Sequence, residues 1–265
     1  VATLAAIEEI DDPIPDEIRE TVSGLSELAS SDFEGYISKD LQDLLGQPSL
    51  KDQLSRMSDL LDSLDADVSF MVVDDRDGHL PIILNSRVKT MINFLQHRKH
   101  KEFQVWLDRY SFYATTIRPI LKSYGLPEEL IYLAMIESGL NTKAYSYAHA
   151  VGPWQFISAT GRRYGLKRDW WVDERRDVVK STHAAAKYLK DLHDEFDDWY
   201  LAMASYNTGE SRVRRTIRRE GHRDYWRMIT LPRQTRNYVA TVLAAAIIGS
   251  DPESYGFHVD ELTDW

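Results

Sequence analysis

One glutamate of this chain, Glu137, stands where a carboxylic acid could act as a general acid. The usual cap rules predict one helix of about 10–12 residues within 126–139, with Pro127 at its first position and Gly139 as its stop. Three residues share a helical stripe with Glu137 and are apolar: Leu130, Leu133 and Ala134. Burial and the negative end of the helix dipole both disfavour the ionised carboxylate, so this spacing predicts a raised pKa. A surface glutamate at a frayed helix end would fit the same spacing.

Two polar motifs follow this acid along the chain. The first is Gly152-Pro153-Trp154-Gln155-Phe156, and the second is Tyr206-Asn207-Thr208-Gly209-Glu210. Taken in order with Glu137-Ser138, they resemble the catalytic domain of family 1 lytic transglycosylases, and within that family the membrane-bound type D branch. The resemblance covers roughly residues 80–258. Three separated motifs in register are a far more specific signal than any one of them.

The resemblance implies a fold class and a domain organisation. The implied fold is all-α and lysozyme-like, of the SLT or goose-lysozyme type, with the catalytic domain at 80–265 and its core motifs at 125–245. Residues 1–79 are then an additional acidic, mainly helical N-terminal region. Periodic apolar spacing agrees with a helical domain, with Asn85 capping its first helix. Further helices are predicted at 103–121, from about residue 154, and at 181–192, 199–206, 211–219 and 235–248.

The resemblance also implies a reaction. The β-1,4 bond between N-acetylmuramic acid and N-acetylglucosamine would be broken without water, with Glu137 acting first as acid and then as base. The C6 hydroxyl of the muramoyl unit is the internal nucleophile, so the product is a 1,6-anhydro sugar. One carboxyl group is sufficient for this chemistry.

The resemblance assigns substrate contacts to six further residues: Ser138, Gln155, Phe156, Tyr206, Asn207 and Tyr238. Ser138 would bond the substrate side of the cleft, the amide of Gln155 would meet sugar hydroxyl or acetamido groups, and Phe156 would form an apolar wall. Each residue also has a structural interpretation, such as a helix cap for Gln155.

The Tyr-Asn motif and a late tyrosine complete the predicted site. Tyr206 would line the cleft, Asn207 would contact an N-acetyl group, and the hydroxyl of Tyr238 would point toward the acid and orient it. Structurally, Tyr206 could instead belong to the core, and Asn207 could be a helix C-cap before Gly209.

Two other classes of function remain open at this point. A lysozyme-type hydrolase would need a second carboxylate about 5–9.5 Å from the acid, and only Asp173 and Glu174 lie near a motif, where both are interpreted as structural. A non-catalytic glycan-binding module is the other alternative, and an intact Glu137-Ser138 pair argues against it.

The charge is divided unevenly along the chain. The 265 residues carry a net charge of −10, but residues 1–80 alone hold 20 acidic and 5 basic residues. Amphipathic spacing predicts helices in this acidic part, and the apolar runs 68–73 and 80–84 around a polar turn predict a small hairpin at its end. The absence of cysteine excludes disulfides and thiolate chemistry.

Several ligand classes are not predicted. No metal and no cofactor is expected, because the histidines lack the paired spacing of a zinc helix: His97, His100, His183 and His193. Nucleic acid is not expected either, because the arginines of 212–219 occupy several helix faces without interleaved aromatic residues in an acidic chain. Those arginines suit a solvated face or contact with peptide-stem carboxylates. Four tryptophans are predicted to pack rather than to bind sugars: Trp154, Trp170, Trp171 and Trp199.

The predicted partner is the glycan strand of peptidoglycan, in the periplasm or at the outer membrane of a Gram-negative cell envelope. No stretch of the chain approaches the roughly 18 apolar residues that span a bilayer. A signal or lipid anchor ahead of Val1 and LysM-type modules after Trp265 are left open.

Overall fold

In the part of the chain that the structure describes, a small hairpin precedes the helices. The structure, a computed structural model, describes residues 71–74 and 78–258. Strand β1 (Met71–Asp74) pairs antiparallel with β2 (Ile82–Leu84), with Met71 opposite Leu84. The hairpin therefore forms from the two apolar runs that predicted it. The rest of the predicted acidic region 1–79 lies almost entirely outside the described residues.

A division of the chain by backbone contacts falls between residues 64 and 65. The hairpin and every described helix thus belong to the unit 65–265. The domain boundary after residue 79 stays a prediction.

Eight α-helices make up most of the described part of the chain. They are α1 (Ser86–Asn93), α2 (His100–Ser123), α3 (Ile131–Ser138), α4 (Ser158–Arg163), α5 (Val178–Phe196), α6 (Trp199–Thr208), α7 (Glu210–Glu220) and α8 (Arg233–Ser250). A π-helical turn lies at Phe94–Arg98, and 3₁₀ turns lie at Glu128–Leu130, Glu174–Arg176, Tyr225–Arg227 and Glu253–Tyr255. The prediction of an all-α class is confirmed.

Three of the described α-helices begin at a side-chain cap. Asn85 caps α1 as predicted, because its side-chain oxygen accepts a hydrogen bond of 2.9 Å from the Val88 amide. Asp177 and Asp198 cap α5 and α6 in the same way. Helix α5 is longer at both ends than the predicted 181–192, and the cap at Asp177 explains the earlier start.

Helix α8 lies at the centre of the core. It packs against α1, α3 and α6, while α5 packs against α2 and α6. Ten of its residues from 239 to 248 form an almost unbroken buried run with a single partly exposed position, Thr241. Helix α3 is buried from Ile131 through Met135. The helix that carries Glu137 is therefore surrounded by protein on most sides, which sets the environment of the acid.

The helix predicted from about residue 154 begins only at Ser158. Residues 144–157, here called the site loop, instead form a turn closed by isolated bridges between Tyr145 and Val151 and between Val151 and Phe156. Gln155 has a φ of 48°, a left-handed conformation that no helix interior adopts. Trp154 is fully buried and its indole nitrogen donates to the Thr182 hydroxyl at 2.9 Å, so packing was the correct prediction for this residue.

Candidate active site

The segment that positions Glu137 is built in two pieces. A 3₁₀ turn at Glu128–Leu130 leads into α3, so Pro127 caps the turn instead of occupying the first position of one continuous helix. The helix ends at Gly139 in the left-handed conformation that was predicted, with φ 61° and ψ 35°. The Arg109 guanidinium donates to the Gly139 carbonyl at 2.9 Å and fixes this end of the helix.

The carboxyl group of Glu137 lies in a desolvated site, where one side chain of the described residues donates to it. The residue is only partly exposed, and the hydroxyl of Tyr238 donates to its Oε1 at 2.6 Å. Burial raises the pKa of Glu137 to about 7, although the bond from Tyr238 acts in the opposite direction. The raised pKa agrees with the prediction from the apolar stripe on α3. Glu137 is therefore protonated over much of the range below neutral pH, as a proton donor must be.

Tyr238 reaches the acid from the central helix. It lies on α8 with 8% of its surface exposed, and burial raises the pKa of its hydroxyl well above the ordinary value. The hydroxyl therefore keeps its proton and can only donate to Oε1. The predicted orientation of Tyr238 toward Glu137 is the one the structure has. The second carboxyl oxygen, Oε2, is left to carry the proton that the acid would give away.

Ser138 connects α3 to the site loop. Its hydroxyl donates to the Pro153 carbonyl at 2.8 Å and accepts from the Asn141 amide at 3.1 Å. Both bonds are internal to the protein, so in this arrangement Ser138 holds the loop against the helix of the acid. A direct contact between Ser138 and substrate stays a prediction.

Gln155 sits at the tip of a tight turn. Its Nε2 donates to the Gly152 carbonyl at 2.8 Å, which leaves the amide oxygen of Gln155 without a hydrogen-bond partner in the described part of the chain. Gly152 makes this turn feasible: its φ is 81°, and a Cβ added there would lie 1.9 Å from the Arg175 carbonyl oxygen. The side-chain oxygen of Gln155 is thus available to accept from a ligand.

The aromatic residues of the two motifs support one another. Tyr206 is partly buried, donates from its hydroxyl to the Trp154 carbonyl at 2.7 Å, and lies edge-on to Phe156 with 6.4 Å between ring centroids. Phe156 is only 2% exposed. It belongs to the core beneath Tyr206, so its predicted role as an apolar wall of the cleft is not supported by its burial.

Asn207 is oriented by the start of the central helix. The hydroxyl of Thr235, on α8, donates to Asn207 Oδ1 at 3.0 Å. Because its oxygen accepts this bond, the amide hydrogens of Asn207 remain as donors. Such donors can bind a carbonyl acceptor such as an acetamido oxygen. Thr235 and Tyr238 lie one turn apart on the same helix, so α8 orients both Asn207 and Glu137.

Arg175 is the structural centre of the site loop and was not identified from the sequence. Its side chain is buried at 3% exposure and donates to the carbonyls of His149 and Phe156 at 3.1 and 2.9 Å. It also forms a bidentate pair with Asp173 at 2.9 and 2.7 Å. The spacing Asp173-x-Arg175 could have predicted the ion pair. It could not have predicted the carbonyl partners of Arg175, because these lie far away in the sequence.

Asp173 and Glu174, considered above as a second catalytic carboxylate, both form hydrogen bonds with other residues. The pKa of Asp173 is lowered by its bonds from Arg175, and the pKa of Glu174 is lowered by its bond from Lys180, which lies 2.7 Å away. Glu174 also accepts from the Lys167 amide at 2.7 Å. Their interpretation as structural residues is supported by these contacts.

Other groups singled out in the sequence take no part in this site. Within 78–258 no three His, Asp or Glu side chains come together as a metal would require. No described helix is both long enough and apolar enough to cross a bilayer. Trp199 stacks on His193 at 4.0 Å between ring centroids. Trp170 and Trp171 are 89% and 87% exposed, so the prediction that they pack is wrong, because they lie on a turn that projects from the protein.

Removing the hydroxyl of Tyr238 tests its control of the acid. Tyr238→Phe deletes the donor that favours the ionised carboxylate, so we expect the pKa of Glu137 to rise further above its value of about 7. Any activity that needs protonated Glu137 should then persist to higher pH, while its maximal rate falls about tenfold or more. A pH–rate profile measures both. Tyr164→Phe is the matched control, because Tyr164 donates to Asp191 instead. An unmoved alkaline limb in Tyr238→Phe would contradict the assignment.

Comparison with known proteins identifies what this domain is similar to. Residues 115–229 match the family model described as a transglycosylase SLT domain. The chain is 42% identical over 141 residues to membrane-bound lytic murein transglycosylase D of Escherichia coli K12, an alignment that covers 51% of this chain and 31% of the relative. It is 29% identical over 119 residues to membrane-bound lytic murein transglycosylase C of Glaesserella parasuis, which covers 40% and 33%.

Among solved structures, an inactive mutant of the lytic transglycosylase Slt from Pseudomonas aeruginosa matches with a TM-score of 0.45 and 26% identity. That match covers 57% of this chain and 25% of the other. The chain thus spans about a third of the length of the two curated relatives.

Proposed function

We propose that this chain is a peptidoglycan lytic transglycosylase. The starting point is the match of residues 115–229 to the transglycosylase SLT domain. The observation that carries the proposal is the state of Glu137: a desolvated carboxyl group with a pKa of about 7, oriented by the hydroxyl of Tyr238. The substrate is the β-1,4 bond between N-acetylmuramic acid and N-acetylglucosamine. The resemblance to family 1 lytic transglycosylases found in the sequence agrees with the relatives that the chain matches.

The first chemical step needs the proton on Glu137. Tyr238 donates to Oε1, so the proton on Oε2 is given to the glycosidic oxygen as the bond to the muramoyl C1 breaks. The muramoyl ring then carries oxocarbenium-like positive charge, beside a carboxylate that has just become negative. The bond from Tyr238 stabilises that new charge, since a hydroxyl donates more strongly to a carboxylate than to a neutral acid.

The second step returns the proton to Glu137. The carboxylate accepts the proton of the muramoyl C6 hydroxyl while that oxygen bonds to C1 and closes the 1,6-anhydro ring. No water is consumed, and the enzyme ends with Glu137 protonated again. The amide donors of Asn207 and the free amide oxygen of Gln155 are suited to hold acetamido and hydroxyl groups of the two sugars in place for this closure.

The alternative of a hydrolase is less well supported. A hydrolase would need a second carboxylate free to activate water or to attack C1, but Asp173 is paired with Arg175 and Glu174 with Lys180. The alternative of a binding module is disfavoured because binding alone gives no reason to bury a carboxyl group and raise its pKa.

Product mass distinguishes these functions. Purified peptidoglycan is digested with the protein, and the muropeptides are analysed by mass spectrometry. Release of 1,6-anhydromuropeptides is the expected result. Products heavier by one water would identify a hydrolase, and binding without any product would identify a non-catalytic module.

The pH dependence of the reaction follows from the pKa of Glu137. Because the acid must be protonated, we expect kcat/KM for anhydromuropeptide release to fall as the pH rises through about 7. A free glutamate would lose its proton at about pH 4–5. Initial rates measured between pH 4 and about 9 decide between the two. A loss of activity centred near the free value would contradict the role of burial around Glu137.

The place of action is proposed on the same grounds. The two curated relatives are named as membrane-bound murein transglycosylases, which supports the Gram-negative cell envelope as the location of this chain. Within the envelope we propose the periplasm or the inner face of the outer membrane, with glycan strands as the partner. An anchor ahead of residue 1 and LysM-type modules after residue 265 would be detected by sequencing the complete gene. Fractionation of cells locates the protein directly.

A further inference from the structure

Three exposed apolar side chains lie together on one short turn near the site loop. Residues 168–173, here called the tryptophan turn, present Trp170 at 89%, Trp171 at 87% and Val172 at 50% exposure. Two neighbouring indoles in water are unusual, because each would bury 150–250 Å² of surface in a core or an interface. The turn therefore presents apolar surface that no described part of the chain covers.

The tryptophan turn is held in one conformation by its own hydrogen bonds. Asp169 accepts from the Trp171 amide at 2.7 Å and from the Val172 amide at 2.8 Å, and its own amide donates to the Val172 carbonyl at 2.9 Å. A bridge between Arg168 and Asp173 closes the base of the turn. A preorganised turn loses little conformational entropy when a ligand binds to it.

A positively charged pocket lies beside this turn. Its volume is about 310 Å³, and the cations that line it and are exposed are Arg162, Lys167 and Arg168. Within residues 78–258 none of these three side chains forms an ion pair with an acid. Leu166 contributes an apolar surface to the same pocket. The pocket, here called the basic pocket, is thus suited to small anionic groups such as carboxylates.

One residue joins the tryptophan turn and the basic pocket to the site loop. Arg175 lines the pocket, pairs with Asp173 at the base of the turn, and donates to the carbonyls of His149 and Phe156 in the loop that carries Gln155. A single guanidinium is only a few ångströms wide, so the turn and the site loop are immediate neighbours. A long ligand held at the site loop can reach both surfaces.

We propose that the tryptophan turn and the basic pocket form an additional binding site for peptidoglycan, resting on the function proposed above. The indoles of Trp170 and Trp171 stack on sugar faces of the strand, and the three cations of the pocket bind free carboxylates of its peptide stems. The ligand class is therefore an amino-sugar polymer that bears acidic peptides.

The observations favour this ligand over an anionic lipid surface. Indoles flanked by cations could also lie in a membrane interface. However, the cations here line a recessed pocket, and Arg175 fixes the turn to the loop of the candidate active site. Both features suit a polymer that is bound and cleaved by the same molecule. A flat layer of headgroups would not need either of them.

Binding is tested in the full chain carrying Glu137→Gln, so that the strand is not cleaved during the measurement. Two variants are added to it: Trp170→Ala with Trp171→Ala, and Arg162→Gln with Lys167→Gln and Arg168→Gln. Matched controls remove an exposed aromatic residue, Phe112→Ala, or three exposed cations on other helices, Lys89, Lys101 and Lys187, each changed to Gln. Each protein is sedimented with intact sacculi, with sacculi whose peptide stems have been removed by an amidase, and with anionic phospholipid vesicles.

We expect the double tryptophan variant to bind both kinds of sacculi about tenfold or more weakly, and both controls to bind normally. The triple charge variant should lose affinity only for sacculi that keep their stems, and the remaining affinity should depend less on salt. Unchanged binding of both variants to sacculi would overturn the proposal. Weaker binding to vesicles alone would overturn it in favour of a membrane surface.

Catalysis by the wild-type chain on intact sacculi and on stem-free short strands is measured separately, together with the tryptophan and charge variants in the wild-type background. If no chain releases anhydro sugars, the proposed function fails while the binding result still stands. If the variants cleave stem-free short strands normally but show a higher KM on intact sacculi, the additional site acts in binding and not in the chemistry.

Discussion

Glu137→Gln is expected to lower the rate of anhydromuropeptide release by about 10²–10⁴-fold or more, because the amide cannot donate or accept the transferred proton. The shape of the side chain is kept, so binding of glycan strands should persist. Release of products by the purified variant, measured under single-turnover conditions, tests this. Residual activity near the wild-type level would show that another group supplies the proton.

The same variant is expected to be more stable than the wild type, although it is less active. Because burial raises the pKa of Glu137 from 4.5 to about 7, the folded protein holds this proton more tightly than the unfolded chain does. The resulting stabilisation is fully present below pH 4.5 and is lost as the pH rises through 7. Glutamine does not titrate, so Glu137→Gln should gain up to about 3 kcal/mol relative to the wild type between pH 5 and 8. Urea unfolding of both proteins at pH 5 and at pH 8 measures this change. If the stability difference between variant and wild type were the same at both pH values, the raised pKa of Glu137 would be contradicted.

Gly152→Ala adds one methyl group and is expected to lower both stability and activity strongly. The new Cβ would lie 1.9 Å from the Arg175 carbonyl oxygen, and the φ of 81° is itself unfavourable for alanine. The site loop must move away from Arg175, so the turn that places Gln155 is lost. We expect a loss of about 3 kcal/mol or more in unfolding free energy and a fall of at least about 100-fold in activity.

Gly125→Ala separates the two causes of that effect. Gly125 also has a positive φ, of 69°, but a Cβ there meets nothing within 4 Å. It should lose only the backbone preference, about 1–2 kcal/mol, and leave activity intact. Thermal melts and rates of both variants make the comparison. Equal losses at the two glycines would show that the close approach of Arg175 to Gly152 is not important.

The sequence predicted the apolar surroundings of Glu137 because the evidence for them is local. The apolar neighbours of Glu137 and the stop at Gly139 follow from helical spacing, and the cap at Asn85 follows from side-chain chemistry. The orientation of Tyr238 came from the family resemblance and not from spacing, since the two residues are 101 positions apart.

The exposure of aromatic residues was harder to predict. Trp170 and Trp171 were predicted to pack but are exposed, while Phe156, predicted as an apolar wall of the cleft, is 2% exposed. Exposure of an aromatic residue in a loop depends on how the loop is folded back, which residue type does not specify. The role of Arg175 was missed for the same reason, because its carbonyl partners are set by the tertiary arrangement of the site loop.

The location of Tyr238 and Thr235 on α8 links the lifetime of the active arrangement to the lifetime of the whole fold. Helix α8 has more buried residues than any other described helix, so its amide hydrogens should exchange with solvent only through global opening of the domain. Local unfolding should therefore not break the hydrogen bonds by which Tyr238 and Thr235 orient Glu137 and Asn207. Heating should leave the catalytic geometry intact until the domain melts as a unit, so that inactivation and unfolding share one midpoint.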